Sequence, residues 1–277
     1  MYNIDVFLRI FPQRTFVNTL SMGKFIKIQT TDHIAYLALD RGKSNAMHLE
    51  MVEELTEAIK SAQDNPAIEA IVIHGKEGFF SSGLDLITLF EYDENKIAHF
   101  WRAFIDLIYT LTAFPKPTVA SITGHSPAGG CVLALCCDYR VMAEGEFIIG
   151  LNEVPVGIVV PSGIFELYSF WIGKAIAYRN LLEGKLLLPS EALQIHLVDE
   201  VVPADRVNTA ATRRARGLTQ FDKSAWGATK LNLRNDLLQK IAANKTEAVQ
   251  QVLAQWWKPS TRNILKTIIH NLTQKKG

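Results

Sequence analysis

Three short segments carry residue types whose spacing could do chemistry. The first is Phe79-Phe-Ser-Ser-Gly-Leu-Asp-Leu86, the second Gly124-His-Ser-Pro-Ala-Gly-Gly-Cys-Val-Leu-Ala-Leu-Cys-Cys-Asp138, the third Ile149-Gly-Leu-Asn-Glu-Val-Pro-Val-Gly157. Singly, each has a plain structural reading. Glycine loops between strand and helix are usually turns. Pro127 and the paired glycines mark a helix start, where free N–H groups favour an anion. A lone glutamate such as Glu153 is more often a solvated or paired charge than a catalyst. Together the segments offer two separate backbone donors, one in each glycine loop, and one carboxylate in an apolar stretch. These are the parts needed to remove a proton beside a carbonyl and to hold the oxyanion that results.

The elements around these segments must bring them together. Phe25–Gln29 and Ile34–Asp40 alternate in polarity and read as two strands about a Thr-Thr-Asp-His turn. The loop Arg41-Gly-Lys-Ser-Asn-Ala46 follows. Apolar Met51, Leu55, Ile59 and Ala62 predict an amphipathic helix over 47–62. Ala70–His74 and Thr118–Ile122 read as short buried strands, with a helix over 95–112 between them, stopped by Pro115 and Pro117. The second glycine loop opens a short buried helix through Cys136. Tyr139–Met142 and Phe147–Ile149 read as strands, and from Pro161 the chain is mostly helical. Strands alternating with helices, then helices alone, predict an α/β fold: a parallel-rich core with a helical tail. No sequence repeat appears, and no stretch rich in Gly, Ser or Pro divides the chain.

Bulk properties remove several function classes. The 277 residues are 48% hydrophobic and 21% charged, with a formal net charge of +1, so no global field recruits nucleic acid or an anionic membrane. No apolar run reaches the ~18–20 residues that span a bilayer. The first twenty residues lack a continuous apolar stretch followed by small residues, so a secretory signal is not expected. Cys131, Cys136 and Cys137 lie in one apolar stretch without a Cys-x-x-Cys pair. They read as buried thiols of a reducing compartment, the cytoplasm of a bacterium or the mitochondrial matrix of a eukaryote, and no metal site is expected.

In order and spacing, the three segments resemble the crotonase (enoyl-CoA hydratase/isomerase) superfamily. Phe80-Ser-Ser-Gly-Leu-Asp-Leu86, Ser126-Pro-Ala-Gly-Gly-Cys-Val-Leu-Ala-Leu-Cys-Cys-Asp-Tyr-Arg140 and Ile149-Gly-Leu-Asn-Glu153 are similar, within it, to the mitochondrial-type 3,2-trans-enoyl-CoA isomerases. The resemblance runs from about Phe25 to the C-terminus. It implies a crotonase-type spiral of ββα units over 24–200, a C-terminal helical trimerisation region over 201–277, and a homotrimer or dimer of trimers. Residues 1–23 would be a disordered extension. The N–H groups of Leu84 and Gly129 fall on the family's oxyanion hole, and Glu153 on its catalytic carboxylate. The coenzyme A contacts fall on Lys43, Ser44 and Ala46, and on Ser82, Gly83, Asp85 and Leu86. Asn152 sits where the isomerases touch the acyl group. An acyl-CoA thioester is the implied substrate, with coenzyme A carried as part of it and no separate cofactor.

One departure bears on the reaction. Hydratases of this family carry a second carboxylate three positions after the oxyanion glycine, and Val132 stands there. Valine can neither hold a water nor move a proton, whereas one carboxylate suffices to shift a double bond. Other residues read as structural: His125 at the rim of the loop, Asp85 as the cap of the next helix, and Asp138 with Arg140 as an ion pair.

Overall fold

A computed structural model describes the backbone of residues 19–243 and 245–274. Strands β1 (Thr19–Met22), β2 (Ile26–Thr31) and β3 (Ile34–Leu39) form an antiparallel ribbon. Asp32 and His33, both at positive φ, make the two-residue turn between β2 and β3, a backbone that matches the twist of a hairpin. Four strands then continue the sheet in parallel from β3: β4 (Ala70–His74), β6 (Thr118–Ile122), β8 (Tyr139–Ala143) and β11 (Glu200–Val202). The remainder of the 1–23 segment, residues 1–18, lies outside the described residues.

Side-chain alternation explains why this sheet is covered on both faces. In β4, Ile71 and Ile73 point into the main core, with α1 (Leu49–Asp64) and α3 (Glu94–Thr112). Ala70 and Val72 point the other way, onto Val207, Ala210, Ala211 and Ala215 of α8 (Val207–Leu218). The expected helices at 47–62 and 95–112 thus appear at Leu49–Asp64 and Glu94–Thr112. Ala70–His74 and Thr118–Ile122 are strands, as their sequence suggests.

A second sheet was not expected from the sequence. It runs in the order β10 (Leu186–Leu187), β9 (Ile149–Gly150), β7 (Gly124–Pro127), β5 (Gly78–Phe79). Its strands have two to four residues, too short for alternation to register, and of the strand expected at 147–149 only Ile149 lies in β9. β5, β7 and β9 are mutually parallel, so their C-terminal ends face one way. Those ends lead into the glycine-serine loop, into the short helix α4 (Gly129–Leu135), and into the turn containing Glu153.

The C-terminal helices are tied to the core by buried charge. In α9 (Lys223–Ala243), Lys230 Nζ lies 2.7 Å from Asp138 Oδ2, and an Arg234 terminal nitrogen 3.0 Å from Asp138 Oδ1. The sequence suggested Asp138 with Arg140 instead. Asp138 sits in the bend before β8 with its carboxylate taken by α9, and Arg140, inside β8, pairs at 2.7 Å with Asp199, just before β11.

Candidate active site

Residues 44–47 and 80–85 lie side by side. Ser82 N–H donates to Ser44 O at 2.8 Å, and Ser82 Oγ to Ser44 Oγ at 3.0 Å. Ser81 Oγ donates to Asn45 O, Asn45 Nδ2 to Phe80 O, and Gly83 N–H to Ser81 Oγ. Met47 then bridges to Leu84: Met47 N–H donates to Gly83 O at 2.8 Å, and Asp85 N–H to Met47 O at 2.9 Å. Ser44, Ala46, Ser82, Gly83, Asp85 and Leu86 therefore lie along one seam, with Lys43 exposed at its edge.

Both candidate donors are aimed by the carbonyls of their own peptide units. A trans peptide holds C=O and N–H on opposite sides. Gly83 O is fixed by Met47, so Leu84 N–H points away from Met47. Ala128 O accepts from Val132 N–H at 3.0 Å, so Gly129 N–H points out of the first turn of α4. Among the described residues neither N–H has a protein acceptor. Ala128, at the entrance to α4, holds φ at +50°, a conformation costly to a residue with a Cβ and concentrated at functional sites.

The two loops touch. A Cβ placed on Gly83, which sits at φ +86°, would lie 3.1 Å from Gly129 N and 3.0 Å from Ala128 Cβ. One placed on Gly129 would lie 2.8 Å from Met47 Cε and 3.1 Å from Leu84 Cδ2. Glycine at both positions lets the donor-bearing backbones approach. Val132 is buried one turn along α4, on the side of the helix that Gly129 opens.

Glu153 follows from β9, where Ala128 N–H donates to Gly150 O at 2.8 Å. Its carbonyl accepts from Val156 and Ile158, which fixes the turn. The residue is 8% exposed, and its Oε2 is buried without a protein partner. Burial pushes its carboxyl up to about 7, against a small downward pull from its own backbone N–H. Burial also raises the Cys131 thiol of α4, and the Glu153 charge adds to that. Asn152, half-buried, precedes it.

Sequence reading passed through Asn45 and Ser81 without seeing that they, with Arg41 and Thr88, hold this arrangement. Arg41 N–H donates to the Asn45 side chain, and Asn45 sits at φ +51°. The polar run at 41–45 is the signal that could have pointed to Arg41 and Asn45; Ser81 and Thr88 carry no such signal. Asp85 caps α2 (Leu86–Phe90), accepting from Thr88 N–H at 3.1 Å. Burial pushes its carboxyl up, but bonds from Thr88 and Arg41 outweigh this and hold it below the ordinary value.

Cavity size does not single out this place. A cleft of about 610 Å³ lies beside Trp171, Trp226 and Phe221, and one of about 410 Å³ adjoins the turn after Glu153, at Val154, Ile158 and Phe165. The larger cleft borders Asp138, Lys230 and Arg234, which satisfy one another. The unpaired donors and the unpaired carboxylate are what mark the site.

Comparison with known proteins agrees with this geometry. The enoyl-CoA hydratase/isomerase family model matches residues 29–266. Mitochondrial enoyl-CoA delta isomerase 1 of Mus musculus is 33% identical over 246 residues, covering 88% of this chain and 85% of that protein. A probable enoyl-CoA hydratase of Mycobacterium tuberculosis is 30% identical, covering 72% of this chain and 77% of its own length. The crystal structure of human mitochondrial delta3-delta2-enoyl-CoA isomerase superposes with a TM-score of 0.88 at 28% identity, covering 92% of this chain and all of that one. With its mixed α/β core, its helical C-terminal region and the loops described above, the chain belongs to the enoyl-CoA hydratase/isomerase family and is an enzyme of the crotonase fold.

Proposed function

We propose that this enzyme converts a 3-enoyl-CoA to the trans-2-enoyl-CoA. Glu153 takes a proton from C2 of the thioester. The negative charge moves to the thioester oxygen, held by Leu84 N–H and Gly129 N–H, and the proton returns at C4, which brings the double bond into conjugation. An aimed donor of this kind is worth about 3–4 kcal/mol of barrier. Coenzyme A lies along Lys43, Ser44, Ala46 and the Ser82–Leu86 loop, with Asn152 beside the acyl group. The scheme uses no metal or redox group, and coenzyme A enters as part of the substrate. A homotrimer or dimer of trimers fits the exposed Phe170, Tyr178, Leu182, Phe221 and Leu233.

The observation that carries this reading is a buried carboxylate, Glu153, with an oxygen that has no protein partner. Glu153 near 7 is poised to accept and return a proton close to neutral pH. Val132 occupies the position where hydration would require a second acid/base group to hold water. The test is turnover of a 3-enoyl-CoA and a 2-enoyl-CoA side by side by the purified protein. Faster double-bond migration than hydration is expected. Efficient formation of the 3-hydroxy product would replace the isomerase reading with a hydratase.

A further inference from the structure

We propose that Arg41 is a positioning residue that aims the Leu84 N–H by clamping the chain on both sides of the Met47–Leu84 bridge. One terminal nitrogen of Arg41 donates to Ala46 O at 2.7 Å, immediately before Met47. The other lies 2.5 Å from Asp85 Oδ2, immediately after Leu84. A single planar guanidinium thus spans the two strands of the seam, a geometry that the point charge of a lysine cannot reproduce. The pair is sheltered, with side chains 22% and 11% exposed, so water screens it little. Asp85 also receives Thr88 Oγ1 at 2.5 Å and Thr88 N–H at 3.1 Å, so the clamp continues into the first turn of α2. The Arg41 backbone is itself held, its N–H donating to Asn45 Oδ1 and its carbonyl accepting from Asn45 N–H.

Both terminal nitrogens donate to acceptors within the chain, so the guanidinium acts on the site through the backbone. Without it, Asp85 keeps a buried charge with only Thr88 to answer it, and the Gly83–Leu84 peptide plane is held by the Met47 N–H bond to Gly83 O alone, with the residues on either side of that bridge released. A misplacement of about 1 Å at a reacting group can cost about 10²-fold in rate.

The experiment compares the parent with R41M and R41K in two assays. One is steady-state turnover. The other is the near-ultraviolet band of a bound 3-ketoacyl-CoA, whose C2 proton leaves and whose enolate oxygen then needs the same donors. R41M is expected to lower kcat by about 10²-fold and to weaken the enolate band. Ala46 and Asp85 also lie on the proposed coenzyme A seam, so KM and the affinity for a saturated acyl-CoA should weaken too, but by less than about tenfold, well short of the loss in kcat. R41K should fall between R41M and the parent, because it keeps the charge beside Asp85 and loses the fork; where R41M does not fold, the same split read on R41K serves. Unchanged kcat with an unchanged band would overturn the proposal. So would an equal loss of saturated acyl-CoA binding, which would make Arg41 a ligand contact. The turnover arm rests on the isomerase reading, and the enolate band does not. A parent that forms the band without isomerising 3-enoyl-CoA sinks that reading and leaves Arg41 testable. A parent that isomerises while R41M keeps both band and rate sinks only the role of Arg41.

Discussion

Two carboxylates of this protein, Asp138 with its side chain 13% exposed and the buried Glu153, live under opposite rules. Asp138 accepts from Thr118 N–H at 2.8 Å, from Thr118 Oγ1 at 2.9 Å and from Lys230 at 2.7 Å, with Arg234 at 3.0 Å on its other oxygen. Arg234 also donates to the carbonyls of Thr112, Cys136 and Cys137, so little hydrogen-bonding capacity is left over. Among the described residues no cation pairs with the Glu153 carboxylate, and one of its oxygens has no protein partner. The first carboxylate fastens α9 to the core. The second is kept at a cost that packing alone does not explain, which is the mark of a group held for chemistry. The same contrast separates the large sheet, whose faces are filled by apolar side chains, from the small sheet, where β5 and β7 lead to the unpaired donors and β9 to the unpaired carboxylate.

The largest expected effect tests the Glu153 side of this contrast. Glu153→Gln keeps shape and hydrogen bonding but cannot accept a proton, so kcat should fall about 10²–10⁴-fold while binding of a saturated acyl-CoA is retained. In the parent, kcat/KM should rise with pH through about 7 and then level, because the carboxyl must be ionised to act as base. A Gln variant within a few-fold of the parent would move the base to another residue. If binding and fold collapse with turnover, Glu153 belongs with Asp138 as a structural group and the contrast fails.

Next in size is the Asp138 side. Asp138→Asn leaves Lys230 and Arg234 buried without their counter-charge. Urea unfolding should show a loss of about 3–5 kcal/mol, with kcat of the folded fraction unchanged. Burial already pulls the Lys230 ammonium down to about 8, so it tolerates the loss of its partner poorly. A loss below about 1 kcal/mol would place this cluster with surface ion pairs.

The smallest effect has the opposite sign and sharpens the comparison most. The folded-state value of Glu153 lies above its ordinary 4.5, so between 4.5 and about 7 the folded protein holds a proton that the unfolded chain has released. The stability tied to that proton is complete below 4.5, declines as pH rises, and is lost above about 7. The shift corresponds to about 3 kcal/mol. Glu153→Gln, which carries no charge to bury, should therefore be more stable than the parent at pH 8 by up to that amount, and the gap should close near pH 4. A catalytic loss joined to a stability gain is what an unpaired functional carboxylate predicts. Equal melting temperatures for the two proteins at pH 8 would show that Glu153 is solvated in solution.

What the sequence by itself determined were the elements that carry their own signal. The period of Met51, Leu55, Ile59 and Ala62 marks α1, and the β-branched run of 71–73 marks β4, because each reports burial within one continuous stretch. The three chemical segments and the family were legible for a similar reason: their residue types sit at fixed spacing along the chain. Only the tertiary structure decided that the segments meet. β5, β7 and β9 have two to four residues and no periodicity, and they exist through pairing between positions 78 and 124 and between 126 and 149. The choice of Asp199 over Asp138 for Arg140, the clamp of Arg41 on Ala46 and Asp85, and the isolation of Glu153 all depend on neighbours distant in sequence. Local pattern records which face of an element avoids water; which charge stands opposite which is set by how those faces are stacked.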